Sequence, residues 1–177
     1  HLLSIINDIL DLSKIEAGKL GLEQTDVDLR AIAANVVSML QERAQAKGLQ
    51  LLMDIGPLPD RLQGDPTRLS QSLLNYASNA LKFTRQAAQP CIAVQAVVAP
   101  AGHVAFTVQD NGVGFDPARA GTLFGVFQRL HRESEFEGVG TGLALCRAIA
   151  QRHGGAITAT AVPGAGCTVR VEWPAHA

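Results

Sequence analysis

LLNYASNALKFT, residues 73–84, sets two asparagines and a lysine into an otherwise apolar segment. At about 100° per residue, Asn75, Asn79 and Lys82 share one narrow sector, while Leu69, Leu73, Tyr76, Ala77 and Ala80 gather on the other side. The spacing predicts a helix with one packing face and one polar face. Asparagine is a poor helix former because its amide competes with the backbone, so two of them in mid-helix cost stability without packing in return. An isolated N-x-x-x-N also describes a solvated face, and what surrounds it decides between the two readings.

Upstream, Asp65 is placed to cap this helix and Pro66 to occupy its first position. Another helix is expected over about 29–47, behind Asp26-Val27-Asp28 and ended by Gly48, with strands at 49–55 and, more briefly, at 20–23. Downstream, apolar runs at 91–98 and 104–109 flank Pro100-Ala101-Gly102 and predict a hairpin. A helix over 141–153, stopped by Gly154-Gly155, precedes strands at 156–161 and 168–173. Helices that alternate with strands and give way to hairpins predict a two-layer α/β sandwich, with helices on one face of a mixed, largely antiparallel sheet.

Residues 1–19 carry Leu2, Ile5, Ile9 and Leu12 at spacings of three and four, with Leu3, Ile6 and Leu10 alongside. A seam that wide needs several helical neighbours, and no later segment is an obvious mate. The expected partners are a preceding helix and a second copy of the chain, in a helical bundle; the alternative is a helix lying on its own domain.

Composition narrows the rest. A chain of 177 residues with 47% hydrophobic content can build a core without staples. Its three cysteines, Cys91, Cys146 and Cys167, are far apart and odd in number, which indicates neither a disulfide framework nor a zinc site. A formal charge of -1 without a dense basic run argues against nucleic acid or an anionic membrane as the main partner. No apolar run reaches the roughly 18 residues of a membrane span. Because the chain starts without Met inside a helical pattern, it reads as an excised piece, which leaves a membrane-anchored parent open.

Two glycine clusters carry the chemistry. Asp110-Asn111-Gly112-Val113-Gly114 follows a strand, where glycines let the backbone approach a flat ligand and the carboxylate can accept from an exocyclic amine. Gly138-Val139-Gly140-Thr141-Gly142-Leu143 runs into a helix, whose unpaired N–H groups suit phosphate. The spacing lacks the lysine of a G-x-x-x-x-G-K-[ST] loop and does not follow a strand as a dinucleotide fingerprint does. Between the clusters, residues 115–137 form a charged loop with the length of a lid, the alternative being a disordered surface excursion; in a lid, Phe124 and Phe127 are expected to anchor the loop and Arg129 to face phosphoryl oxygens.

In this order, Asn75/Asn79/Lys82, Asp110-x-Gly112-x-Gly114, Phe124-x-x-Phe127 and Gly138-x-Gly140-x-Gly142-Leu143 resemble the N, G1, F and G2 boxes of bacterial sensor histidine kinases. The resemblance runs over essentially the whole chain. It implies the Bergerat-type ATP-binding fold for 20–177, with the lid at 115–137, and the second helix of a dimerisation domain for 1–19. It implies that Asn79 gives an oxygen to Mg²⁺ on ATP, that Asn75, Lys82 and Arg129 face the phosphates, and that Phe83 stacks near adenine. Asp110 would accept from the adenine amine with Thr168 near it, Gly112 and Gly114 would admit the base, and Gly138, Gly140, Gly142 and Leu143 would wrap the phosphates. A homodimer and a response-regulator receiver domain are the implied partners, and the implied location of this domain is cytoplasmic, with a parent anchored at the bacterial inner membrane left open.

The chain departs from the family in having no H-[ED]-x-x-[RK]-x-P phosphoacceptor motif. His1 precedes Leu2-Leu3 in the wrong helix and reads as a surface residue, His131 lies in the lid, and His153 sits at a helix end, where a cation is favourable. The chain alone is expected to bind nucleotide without phosphorylating itself. Two alternatives stand beside this reading: a degenerate kinase serving as a nucleotide-binding scaffold, and an ATP-hydrolysing relative. No glutamate occurs within residues 73–82, where gyrase and chaperone ATPases of this fold carry their catalytic one, and hydrolysis is disfavoured.

Overall fold

The computed structural model describes residues 2–19, 21–130 and 139–175. Helix α1 covers Leu2–Glu16, and strand β1, Thr25–Asp26, leads to α2, Leu29–Ala46. Strands β2, Gln50–Ile55, and β3, Gln63–Gly64, precede α3, Pro66–Phe83. After β4, Cys91–Ala99, and β5, His103–Asp110, come α4, Gly142–Arg152, then β6, Ala156–Val162, and β7, Gly166–Pro174. Five strands form one sheet in the order β2-β4-β5-β7-β6, in which β2 and β4 run parallel and the other neighbours antiparallel. The expected sandwich is therefore present, with α2, α3 and α4 contributing to a core that also holds Ile92, Val94, Val104, Phe106 and Trp173.

The caps read from sequence set the helix starts. Asp28 accepts from Ala31 N–H at 2.9 Å, and Asp65 from Arg68 N–H at 3.0 Å, with Pro66 in the first turn. Gly48, at φ +61°, follows the end of α2 in the left-handed region.

Two expectations are corrected. The early strand lies at Thr25–Asp26, while 21–23 form none and residue 20 lies outside the described residues, and it pairs with Gln63–Gly64. Its neighbour Glu23 instead donates its N–H to the Asp65 carboxylate at 3.2 Å, so that stretch supports the α3 cap. Second, α1 does have a mate within the chain. Leu12 is buried with Ala144, Leu145 and Ile149 of α4, and Ile15 packs beside them. Asp11 receives both terminal nitrogens of Arg68 from α3, while Arg152 donates to the Ile15 carbonyl at 3.3 Å. The wide seam is split: Ile5 and Leu12 turn inward, whereas Leu2 and Leu3 are 71% and 76% exposed and Ile6 and Leu10 are also exposed. No helix among the described residues is long and apolar enough to cross a membrane.

Candidate functional site: a cleft between two helices and a lid

The polar stripe of α3 lines a cleft of about 680 Å³, within the range of small-molecule sites. Leu69, Leu73, Tyr76, Ala77 and Ala80 are buried as the periodicity demanded, which leaves Asn75, Asn79 and Lys82 along one wall. The head of α4 closes that wall. A β-carbon on Gly142 would come within 3.5 Å of the Asn75 amide, whose nitrogen lies 3.7 Å from the Cys146 sulfur. Lys82 Nζ sits 4.8 Å from the centre of the Phe83 ring, and Phe83 lines the same cleft.

Strand ends make the floor. Asp110 finishes β5 and accepts from Gly112 N–H at 2.9 Å. Burial pushes its carboxyl from 3.8 up to about 6, against the opposing pull of the Gly112 and Cys167 backbones. The two glycines of this loop have different steric duties. A β-carbon on Gly112 would fall 2.4 Å from the Phe83 carbonyl oxygen, and one on Gly114, at φ +60°, would fall 2.1 Å from that of Val162. Asn111 accepts from Cys91 N–H and donates to the Gln89 carbonyl at 2.9 and 2.8 Å, tying the loop to the start of β4.

Thr168 is not beside Asp110. Register pairs Asp110 with Cys167 and Gln109 with Thr168, and alternate residues face opposite sides of the sheet. Cys167 and Val169 line the cleft, and Thr168 is turned to the other face. Burial, with the Asp110 charge adding to it, pushes the Cys167 thiol up to about 12. The signal was available in the sequence, because Cys167, Val169, Val171 and Trp173 alternate with Thr168, Arg170 and Glu172.

The described part of the loop after Phe115 contains a 3-10 turn, Pro117–Thr122, led by Asp116 accepting from Ala118 N–H at 3.0 Å. Arg119 donates to the carbonyls of Leu130 and Arg129 at 3.1 and 3.3 Å. Phe127 N–H donates to the Gly140 carbonyl at 3.0 Å, joining the loop to the second glycine cluster. Phe124 is half-buried, but Phe127 is 57% exposed at φ +59°, so its backbone rather than its ring holds the loop. Arg129, Gly140, Gly142 and Leu143 line the cleft. Gly138, His131 and His1 lie outside the described residues. His153 joins elements instead of serving a ligand: Nε2 accepts from Asp65 N–H at 3.0 Å, and Nδ1 lies 2.8 Å from the Ile149 carbonyl.

Other wall residues were missed from sequence, the cations Arg43, Lys47 and Arg85 among them. Ile5 and Asp8 of α1 also line the cleft, with Thr141 Oγ1 3.5 Å from an Asp8 oxygen. Among the described residues no three His, Cys, Asp or Glu side chains group to hold a metal. The amide oxygens of Asn75 and Asn79 along this wall fit magnesium, a hard cation that takes few protein ligands and keeps its waters.

Residues 64–177 match the family described as "Histidine kinase-, DNA gyrase B-, and HSP90-like ATPase". The chain belongs to this family, as a histidine kinase catalytic ATPase domain. Similarity extends beyond the matched segment into α1. The chain is 37% identical to "Non-motile and phage-resistance protein" of Caulobacter vibrioides over 98% of its own length and 21% of the relative's. It is 37% identical to "Circadian input-output histidine kinase CikA" of Synechococcus elongatus, covering 98% of itself and 23% of the relative. The full-length ShkA crystal structure, solved in complex with AMPPNP, superposes with a TM-score of 0.87 at 32% identity, over 100% of this chain and 36% of that one. The chain thus spans less than a quarter of the two curated relatives. The family's ATP-binding fold is the sandwich described above.

Proposed function

We propose that this domain presents ATP to a histidine on a segment outside the chain, as the catalytic part of a sensor histidine kinase. The observation that carries this reading is the convergence of three unlike surfaces on one cleft. An acceptor floor at Asp110, an amide and ammonium wall on α3, and the N-terminus of α4 match in turn an adenine amine, the phosphate chain and its negative charge. AMPPNP in the ShkA complex is a nucleotide of the same kind.

In this assignment Asp110 accepts from the adenine amine, Phe83 stacks near the ring, and Gly112 and Gly114 admit it. Asn75, Lys82, Arg129 and the loop through Gly138, Gly140, Gly142 and Leu143 receive the phosphates, and Asn79 would hold Mg²⁺. Magnesium, when bound with nucleotide, supplies charge neutralisation at the phosphates. A histidine nitrogen attacks the γ-phosphorus, the bond to the β,γ-bridging oxygen breaks, and ADP leaves. Lys82 and Arg129 offset charge on the transferring group. The phosphoryl group then passes to an aspartate of a response regulator. The exposed face of α1, with Leu2, Leu3, Ile6 and Leu10, would pack in a homodimeric bundle with the preceding helix. The parent protein would hold this domain in the cytoplasm, where ATP and the response regulator are found.

Calorimetric titration with a non-hydrolysable ATP analogue and magnesium tests the nucleotide site. Binding by the wild-type chain, weakened at least tenfold by Asn79→Ala with the fold retained, is expected. No binding by the wild-type chain would move the reading to a degenerate kinase domain that serves as a scaffold without nucleotide. For the dimer, a monomeric mass for a longer chain that includes the preceding helix would count against the bundle.

A further inference from the structure

We propose that Asp8 is a specificity-determining residue through which α1 sets how strongly the cleft favours diphosphate over triphosphate nucleotides. This rests on the nucleotide reading of the cleft given above. One stripe of α1 carries Ile5, Asp8, Asp11, Leu12 and Ile15, residues three and four apart that share a face. Leu12 and Ile15 pack on α4, and Asp11 is held by Arg68 of α3, itself bonded to Gln71 at 2.9 Å. These contacts fix the helix on both sides of the cleft. Asp8, one turn before Asp11, is thereby placed in the cleft wall.

Its position there is specific. Thr141 caps the start of α4 without a side-chain cap bond, and its hydroxyl lies 3.5 Å from Asp8 Oδ2 instead. The unpaired N–H groups at that helix head attract anions, and a carboxylate beside them occupies the electrostatic position that a phosphate would take. Burial raises the Asp8 carboxyl above its usual range, with Asp11 adding to the rise, as expected for an acid pressed against a partner that only partly compensates it. Asp8 is the carboxylate that α1 adds to a wall whose cations include Arg43, Lys47, Lys82, Arg85 and Arg129. The longest phosphate chain brings the most negative charge towards it, so a triphosphate is penalised more than a diphosphate while α1 is docked.

The test measures affinities of the wild-type chain, Asp8→Asn and Asp11→Asn for a non-hydrolysable ATP analogue and for ADP, both with magnesium. Asp8→Asn keeps the side-chain shape and removes the charge. It should tighten analogue binding about fivefold to tenfold while changing ADP less than about twofold. Asp11→Asn, which loosens the Arg68 contact but keeps Asp8, should shift the ratio in the same direction by less. An unchanged analogue-to-ADP ratio in Asp8→Asn, or weaker analogue binding, would overturn the assignment while leaving the nucleotide site intact. If wild type and both variants bind neither nucleotide although their circular dichroism is native, the reading of the cleft falls and this one with it.

Discussion

The two ends of the cleft are built on opposite principles. At the Asp110 end the floor is set by strand register: β5 and β7 place Asp110 against Cys167, and Asn111 ties the turn to β4. At the helix end, the walls belong to α1, α3 and α4 and to a loop whose described part is tied by local turns and by Phe127 to the second glycine cluster, outside any sheet ladder. A sheet ladder cannot slip by one residue without turning its side chains over, whereas docked helices and loop contacts can loosen gradually. The first end is suited to recognising one flat, invariant group, and the second to a ligand that changes length during a reaction. Substitutions at the sheet end should therefore act steeply, and those at the loop mildly.

The steepest loss is expected for Gly114→Ala. Its φ of +60° is strained for any other residue, and the added carbon would press on the Val162 carbonyl at 2.1 Å and the Gly166 carbonyl at 2.9 Å, neither of which can swing away. Thermal unfolding should show a loss of about 2–4 kcal/mol. An alanine variant as stable as wild type would show that this end yields more readily than its register implies.

Asp110 offers a sharper form of the comparison, because stability and binding should move in opposite directions. Burial raises its carboxyl from 3.8 to about 6, so between those pH values the folded chain binds more protons than the unfolded chain. Stability of the free domain from this group therefore falls as pH rises through that window, and above about pH 6 the full cost of roughly 1–3 kcal/mol applies. The ionised carboxylate is the better acceptor for an amine. Affinity for an ATP analogue should be about tenfold lower at pH 5 than at pH 7, where ionisation is nearly complete. Asp110→Asn should unfold at a higher temperature than wild type at pH 7.5 yet bind the analogue about 10- to 100-fold more weakly. Weaker binding together with a lower unfolding temperature would mean that the side chain serves the fold instead.

The same contrast explains what could be read from sequence. The stripe of α3, its Asp65 cap and Pro66 were legible because they are local: periodicity and end chemistry lie within one turn of the residues concerned. The β4–β5 hairpin was legible for the same reason. The pairing of Thr25 with Gly64 was not, since two-residue ladders between distant segments leave no periodic trace. Thr168 came from the family resemblance, whereas the alternation of the strand puts Cys167 on the face of Asp110. The docking face of α1 mixes Asp8 and Asp11 with Leu12 and Ile15, and its partner α4 begins only at Gly142. Carboxylates on such a face look solvated until Arg68 and Thr141 are brought to them.

The mildest change is expected at Arg119. Its guanidinium reaches the carbonyls of Leu130 and Arg129 at 3.1 and 3.3 Å and so closes the described part of the loop on itself, but both bonds are exposed. Exposed hydrogen bonds exchange readily with water and each contributes little net stability. Arg119→Ala should leave the unfolding temperature within about 1 °C of wild type and weaken equilibrium binding of an ATP analogue less than Asp110→Asn does. The effect should appear in kinetics, as dissociation about two- to fivefold faster in stopped-flow displacement, because the loop borders the exit from the helix end. If dissociation is unchanged, the loop does not limit exit and the looseness of this end resides in α1 alone. If stability falls by several degrees, the loop is a structural clamp, and the two ends are more alike in rigidity than their construction from strands and helices implies.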